Sequence, residues 1–189
     1  MKSGVLWQDT LGMDIEGRTL GVLGLGKLGA KVSGLAKAFG MNVIAWSPNL
    51  TPERCHEAGV GYASKEELFS NADIITVHLV LSPRSRGLVG AADLARMKPT
   101  SYLVNTARGP IVDEAALLQA LQQKKIAGAA IDVFSVEPLP VDHPFRKLDN
   151  IVLTPHLGYV TEESFRNHYM QMVEGIDAWF KGEPLRRLA

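Results

Sequence analysis

Three ionisable side chains stand in short segments that each follow an apolar run in the second half of the chain. They are Arg108 in Asn105-Thr106-Ala107-Arg108-Gly109, Glu137 in Asp132-Val133-Phe134-Ser135-Val136-Glu137-Pro138, and His156 in Thr154-Pro155-His156-Leu157-Gly158. An arginine clamps a carboxylate through two parallel hydrogen bonds. A histidine gives or takes a proton near neutral pH. A glutamate beside it fixes the imidazole's orientation and raises its pKa. Together the three side chains suit redox chemistry on a hydroxy or keto acid. Taken singly, each also fits a plainer role: Arg108 in a surface ion pair, Glu137 solvated in a Pro-rich loop, His156 packed in a turn.

The elements that position them alternate between strand and helix. Apolar runs predict strands at 19–23, 41–46, 73–79, 101–105, 127–134 and 151–153. Helical spacing of Leu28, Val32, Leu35, Ala36 and Phe39 predicts a helix over 27–39, closed by Gly40. Ser64-Lys65-Glu66-Glu67 is a capping box opening a short helix that runs to Ser70. Further helices are expected at 91–96, at 114–125 behind Asp113, and from Thr161 to near Gly182. Pro83 marks one loop, and Pro138, Pro140 and Pro144 another. Strands that are apolar runs rather than alternating patterns belong to a parallel sheet covered on both faces. Ligands of such a sheet gather beyond the strands' carboxyl ends, where Arg108, Glu137 and His156 fall.

Between the first strand and the first helix lies Gly24-Leu25-Gly26-Lys27-Leu28-Gly29. In that context the first glycine makes a tight turn, the second admits a pyrophosphate, and the third lets helix and strand pack closely. The helix N-terminus then offers its N–H groups to the phosphates. The fold class is therefore α/β, a doubly wound parallel sheet of the NAD(P)-binding Rossmann type, in a single domain. One element of that fingerprint is missing. An acid should stand ~20 residues past the first glycine to hold the ribose hydroxyls, but the second strand ends Ala45-Trp46-Ser47-Pro48-Asn49 and the next acid is Glu53. Ser47 and Asn49 bond a ribose without repelling a 2′-phosphate, and Arg54 attracts one. The cofactor is NAD or NADP.

The chain has 189 residues, 46% hydrophobic and 21% charged, with twenty basic side chains against twenty acidic ones. That balance points away from nucleic acid and membrane surfaces as partners. One cysteine, Cys55, permits no internal disulfide and fits a reducing, cytoplasmic setting. No signal peptide is legible, and no apolar stretch reaches the ~20 residues that span a bilayer. There is no HxxxH, CxxC or clustered acid pattern, so no metal is expected. His78, in the apolar strand Thr76-Val77-His78-Leu79, has a structural or cofactor-loop role. His56, His143 and His168 read as surface residues. Phe165, Tyr169, Met172, Ile176 and Trp179 recur at helical spacing as a packing face, with Trp7 and Leu11 part of a similar seam.

The three segments, in this order after GLGKLG, resemble the D-isomer-specific 2-hydroxyacid dehydrogenases. The resemblance runs from about Leu6 to Leu188 and rests on four motifs that agree in order and spacing. It implies that Arg108 binds the substrate carboxylate and carbonyl. It makes His156 the acid–base group on the C2 oxygen, Glu137 its partner, and hydride transfer between C2 and the nicotinamide C4 the reaction. It further implies pyrophosphate contacts from Gly24, Gly26, Lys27, Leu28 and Gly29, and a ribose contact from Ser47. Thr106, Ala107, Arg108, Asp132, His156 and Gly158 then lie near the nicotinamide half, and Val80 and Ser85 skirt the adenine side. Three positions depart from the family pattern. Val80 stands where proline is common, Tyr159 where glycine is common, and Ser47 where an acid is usual. None removes a catalytic group, and Tyr159 is expected to shape the pocket.

The same resemblance exposes a gap. Such enzymes carry a separate substrate domain whose larger part precedes the glycine turn, whereas 23 residues precede Gly24. The expected organisation is a lead-in at 1–18, a dinucleotide-binding domain at 19–160, and a C-terminal helix and tail at 161–189. The active cleft of these enzymes closes between two domains and excludes water. Nucleotide binding is therefore expected to survive in this chain, and turnover to be weak or absent. A non-catalytic nucleotide-binding or sensing module stands as the alternative. By the resemblance, the partners are a small 2-keto or 2-hydroxy acid such as glyoxylate or hydroxypyruvate, and a second copy in a homodimer.

Overall fold

A computed structural model of the chain describes residues 11–186. Leu6, Trp7 and Leu188 therefore lie outside the described residues. Two compact units divide at Pro155 and His156. The first contains β1 (Thr19–Leu23), α1 (Lys27–Ala38), β2 (Asn42–Trp46), α2 (Pro52–Glu57), β3 (Gly61–Tyr62) and α3 (Lys65–Asn71). It continues with β4 (Ile74–Val77), α4 (Ala91–Leu94), β5 (Tyr102–Asn105), α5 (Glu114–Gln122), β6 (Gly128–Ile131) and β7 (Ile151–Leu153). The second contains α6 (Glu162–Phe180). Among the described residues, no helix is long and apolar enough to cross a membrane.

All seven strands pair in parallel in the order β3-β2-β1-β4-β5-β6-β7. The chain runs outward from β1 to β3, returns to β4, and runs outward again on the other side. The connections leaving β1 and β4 therefore part company at the sheet's carboxyl edge, which opens a crevice there. Alternation along β1 sends Leu20 and Val22 into one core with Ala36 and Cys55, and Leu23 into another with Leu68 and Phe69. Two cores, one on each face, make the doubly wound arrangement that the apolar strands imply.

The helix over 27–39 forms, but its buried stripe is Gly29, Ser33 and Ala36. Leu28, Leu35 and Phe39 are each 64% exposed. The reason is steric. An ideal Cβ on Gly29 would lie 2.1 Å from the Gly24 carbonyl oxygen and 3.2 Å from Val22 Cγ1, so only small residues fit against the sheet. Several strands are shorter than their apolar runs. β6 ends at Ile131 because its ladder partner β5 ends at Asn105, and a last bond from the Asp132 amide to the Asn105 carbonyl closes the pair. The predicted helix at 114–125 stops at Gln122, where Lys124 takes a left-handed conformation with φ 51°. Two short elements, α2 and β3, were not expected. α2 is capped by the hydroxyl of Thr51 and begins with Pro52.

At the opposite, amino edge, Asp73 fastens three strand starts together. Its carboxylate accepts from the Thr19 amide at 2.9 Å and from Lys98 Nζ at 2.9 Å, with Arg18 at 4.0 Å. Its own amide and carbonyl bond Thr19 and Tyr102 of β1 and β5. Burial alone would raise the Asp73 pKa. The Thr19 amide, Lys98 and Arg18 outweigh burial and hold the carboxyl below its ordinary value. A depressed folded-state pKa stabilises the fold above the unfolded value of roughly 4, and that contribution is lost as pH falls through the folded value. Asp73→Asn is expected to destabilise the fold by about 1–3 kcal/mol at pH 7. It should also flatten the acid limb of stability below roughly pH 4, measured by denaturant unfolding across pH.

Candidate functional site

The crevice starts at the glycine turn. Gly24 takes φ 106°, a conformation that favours glycine, and its amide donates to the Trp46 carbonyl at 2.9 Å. A Cβ there would lie 2.9 Å from the His78 carbonyl carbon. The turn is thereby pinned between the ends of β2 and β4. Gly26 is the N-cap of α1, with no side-chain cap and no acid in the first turn. By contrast, Thr51, Ser64, Asp113 and Thr161 each cap their helices with a side-chain oxygen. A Cβ on Gly26 would meet nothing within 4 Å. Open space over an uncapped N-terminus of a twelve-residue helix, with Lys27 at its first position, fits a pyrophosphate.

The rest of the nucleotide side is built from loops. Ser47 is half-buried at the end of β2, and its carbonyl accepts from the Leu50 amide at 3.0 Å. The next acid in sequence, Glu53, is engaged at its own helix start, where its backbone amide and the Thr51 hydroxyl lower its pKa. After β4, His78 Nε2 lies 2.9 Å from Thr76 Oγ1, and burial lowers the imidazole pKa. Val80 is 85% exposed. Ser85 is buried, and its hydroxyl accepts from the Ser82 amide and donates to the Val80 carbonyl, both at 2.7 Å. What Ser85 supplies is therefore loop shape.

Arg108 and Glu137 follow adjacent strands, β5 and β6. Buried Asn105 folds the Arg108 segment: its Oδ1 accepts from the Ala107 amide at 3.0 Å, and its Nδ2 donates to the Arg108 carbonyl at 3.1 Å. Thr106 is exposed and Ala107 half-buried. Arg108 is itself exposed, with Nη1 on the Ala107 carbonyl at 2.6 Å. Glu137 Oε1 accepts from the Phe134 amide at 2.9 Å, and the Glu137–Pro138 peptide is cis. The two segments touch, since a Cβ on Gly109 would lie 2.1 Å from the Phe134 carbonyl carbon. Asp132, buried, accepts a hydrogen bond from the Thr154 hydroxyl. Asn105 carries no titratable group and was not singled out in the sequence. Its signal is an amide closing an apolar strand, where burial forces it to bond backbone.

His156 opens the second unit in a left-handed conformation, φ 55°, and is half-buried. Its ring meets Tyr159 edge-on at 5.5 Å. Tyr159 stacks on Phe165 at 6.5 Å, and Phe165 leans on Tyr169 at 6.2 Å. Tyr159, one of the three residues that depart from the family pattern, thus links the histidine to α6. Leu157 and Gly158 are exposed. One expectation is corrected. His143 is not a surface residue, because its side chain is 16% exposed and its Nε2 lies 3.2 Å from Glu114 Oε1. The partners are 29 positions apart in sequence, too far for any local pattern to show.

Residues 1–158 match the family model described as D-isomer specific 2-hydroxyacid dehydrogenase, NAD binding domain. A D-3-phosphoglycerate dehydrogenase of Synechocystis sp. is 43% identical over 93% of this chain and 32% of its own length. A glyoxylate reductase of Aeropyrum pernix is 42% identical over 92% of this chain and 52% of its own. The NAD-complexed structure of a D-isomer specific 2-hydroxyacid dehydrogenase from Lactobacillus delbrueckii ssp. bulgaricus superposes with a TM-score of 0.80 at 31% identity. It covers 95% of this chain and 58% of that one. The chain thus spans between a third and about half of the length of the two relatives compared by sequence.

Two glycines three residues apart should separate binding from folding. Gly26→Ala puts a methyl into open space and should leave the melting temperature within about 2 °C of wild type, while weakening NADH by at least about tenfold. Gly29→Ala overlaps the Gly24 carbonyl and should destabilise the fold by about 3 kcal/mol or more. Calorimetry and NADH fluorescence titration measure both.

Proposed function

Because this chain belongs to the D-isomer specific 2-hydroxyacid dehydrogenase family, as its NAD-binding domain, we propose that it is the nucleotide-binding half of an oxidoreductase acting on a small 2-keto or 2-hydroxy acid. The observation that carries this reading is the shared carboxyl edge of one sheet. β1 there leads into the open glycine turn, while the neighbouring ends of β5 and β6 lead into Arg108 and Glu137. The dinucleotide-binding domain is 19–160, with the lead-in before it and the helix and tail of 161–189 after it.

Gly24, Gly26, Lys27, Leu28 and Gly29 hold the pyrophosphate, and Ser47 the adenine ribose. Val80 and Ser85 bound the adenine side. Thr106, Ala107, Asp132 and Gly158 flank the nicotinamide, which when bound supplies or accepts the hydride at C4. Arg108 holds the substrate carboxylate and orients its carbonyl. His156 gives a proton to the C2 oxygen on reduction and takes it back on oxidation. Glu137 serves as its partner in that role. Glyoxylate and hydroxypyruvate are the substrates of first choice. The exposed stripe Leu28, Leu35 and Phe39 supports a homodimer formed through this half. Balanced charge favours a small acid over nucleic acid or membrane as partner, and the lone free cysteine suits the cytoplasm.

A second reading is favoured by the exposure of Arg108, whose guanidinium rests on its own neighbour's carbonyl. It is a nucleotide-binding module that turns over little by itself. The 189 residues alone should bind NADH and NADPH, yet reduce glyoxylate, hydroxypyruvate and pyruvate at least about a thousandfold below an ordinary kcat of ~10 per second. Ordinary turnover by the isolated chain would remove this second reading. Failure to bind either nucleotide would remove both. Because no acid repels a 2′-phosphate, Ser47→Asp should weaken NADPH relative to NADH by at least about tenfold, as read by paired titrations.

A further inference from the structure

Glu114 is the first residue of α5, directly downstream of the Arg108 segment. Its carboxylate reaches across to the neighbouring strand-end loop, where Oε2 accepts from the Ser135 amide at 3.1 Å. Its other oxygen, Oε1, meets His143 Nε2 at 3.2 Å. His143 Nδ1 accepts from the Phe145 amide at 3.2 Å, and an N–H can meet only an unprotonated ring nitrogen. The proton therefore sits on Nε2 and points at Glu114. Phe145 is buried in the core, with its ring edge-on to His143 at 4.9 Å. A continuous set of contacts thus runs from the core through Phe145, His143 and Glu114 to the Ser135 amide. One residue earlier, the Phe134 amide donates to Glu137 Oε1 at 2.9 Å.

From this geometry we infer that Glu114 and His143 are positioning residues that fix the Glu137 loop against the Arg108 segment. Two points define the clamp. At one, Gly109 lies backbone to backbone on Phe134. At the other, the Glu114 carboxylate grips Ser135. A single point would let the loop pivot, whereas two points set its angle and so the direction of Glu137. Glu114 suits the task because its charge is stabilised at a helix N-terminus, and its two oxygens serve two separate donors. His143 keeps the carboxylate from turning away. The inference rests on the reading of Glu137 as the partner of the acid–base histidine, but its test does not require turnover.

The test is heteronuclear NMR on the whole chain. Long-range ¹H–¹⁵N spectra should show His143 with its proton on Nε2. Amide exchange at Ser135 and Phe134 should quicken by at least about tenfold in Glu114→Ala, with β1 and β4 amides unchanged. His143→Ala should quicken the same two amides. His143→Gln, whose carboxamide can still donate to Glu114, should restore most of the protection. A proton on Nδ1, unchanged Ser135 exchange in Glu114→Ala, or a Ser135 change that leaves Phe134 unmoved would overturn the clamp. If Glu114→Ala does not fold, the two His143 variants decide it on the same amides. Nucleotide titration of the wild-type chain keeps the two readings apart. Loss of NADH binding in the wild-type chain counts against the function, and unmoved amides count against the clamp.

Discussion

The contact on which the rest of the sheet unit depends is the backbone approach of α1 to the turn it follows. With a Cβ on Gly29 only 2.1 Å from the Gly24 carbonyl, helix and strand meet at backbone distance. That contact aims the helix axis, and hence its uncapped amides, at the crevice where β1 and β4 part. It also dictates which face of the helix is buried. Small residues at 29, 33 and 36 go inward, and the large apolar side chains at 28, 35 and 39 are left outside. The turn, the direction of the helix dipole and the exposed stripe are three results of one steric requirement.

Much of this was readable in the residues. Apolar strands alternating with helices imply a parallel sheet because only a sheet covered on both faces tolerates them. The two cores on either side of β1 are that covering. The capping box at Ser64, Asp113 as an N-cap and the left-handed Gly40 are local chemistry, and local chemistry is legible. What was illegible is long-range. Helical spacing marked α1 but not its buried side, because a close backbone approach decides that. His143 looked like a solvated side chain until a glutamate 29 residues earlier met it. Asn105 was hidden for another reason. It is buried and bonds only backbone, so its one sign is an amide closing an apolar strand, with no titratable group to mark a role.

The candidate chemistry divides unevenly between the two compact units. The nucleotide cradle, Arg108 and Glu137 belong to the sheet unit, where strand ends and a backbone contact at Gly109 hold them. His156 belongs to the other, where a row of aromatic rings ties it to α6. Each proposed role is therefore supported by its own local framework: amide and carboxylate hydrogen bonds in the first case, ring packing in the second. The family model covers residues 1–158, a range that contains the whole of the first framework.

Asp73 lies at the amino edge of the sheet, and the glycine turn at the carboxyl edge. The length of β1 and its neighbours separates the residue that sutures the strand starts from those that meet a ligand. Changes to the two groups share no partner, so their free energies should add. A laboratory or a lineage could then adjust heat or acid tolerance around Asp73, Lys98 and Arg18 while leaving nucleotide preference around Ser47 untouched, and the reverse. The sheet in effect insulates durability from specificity.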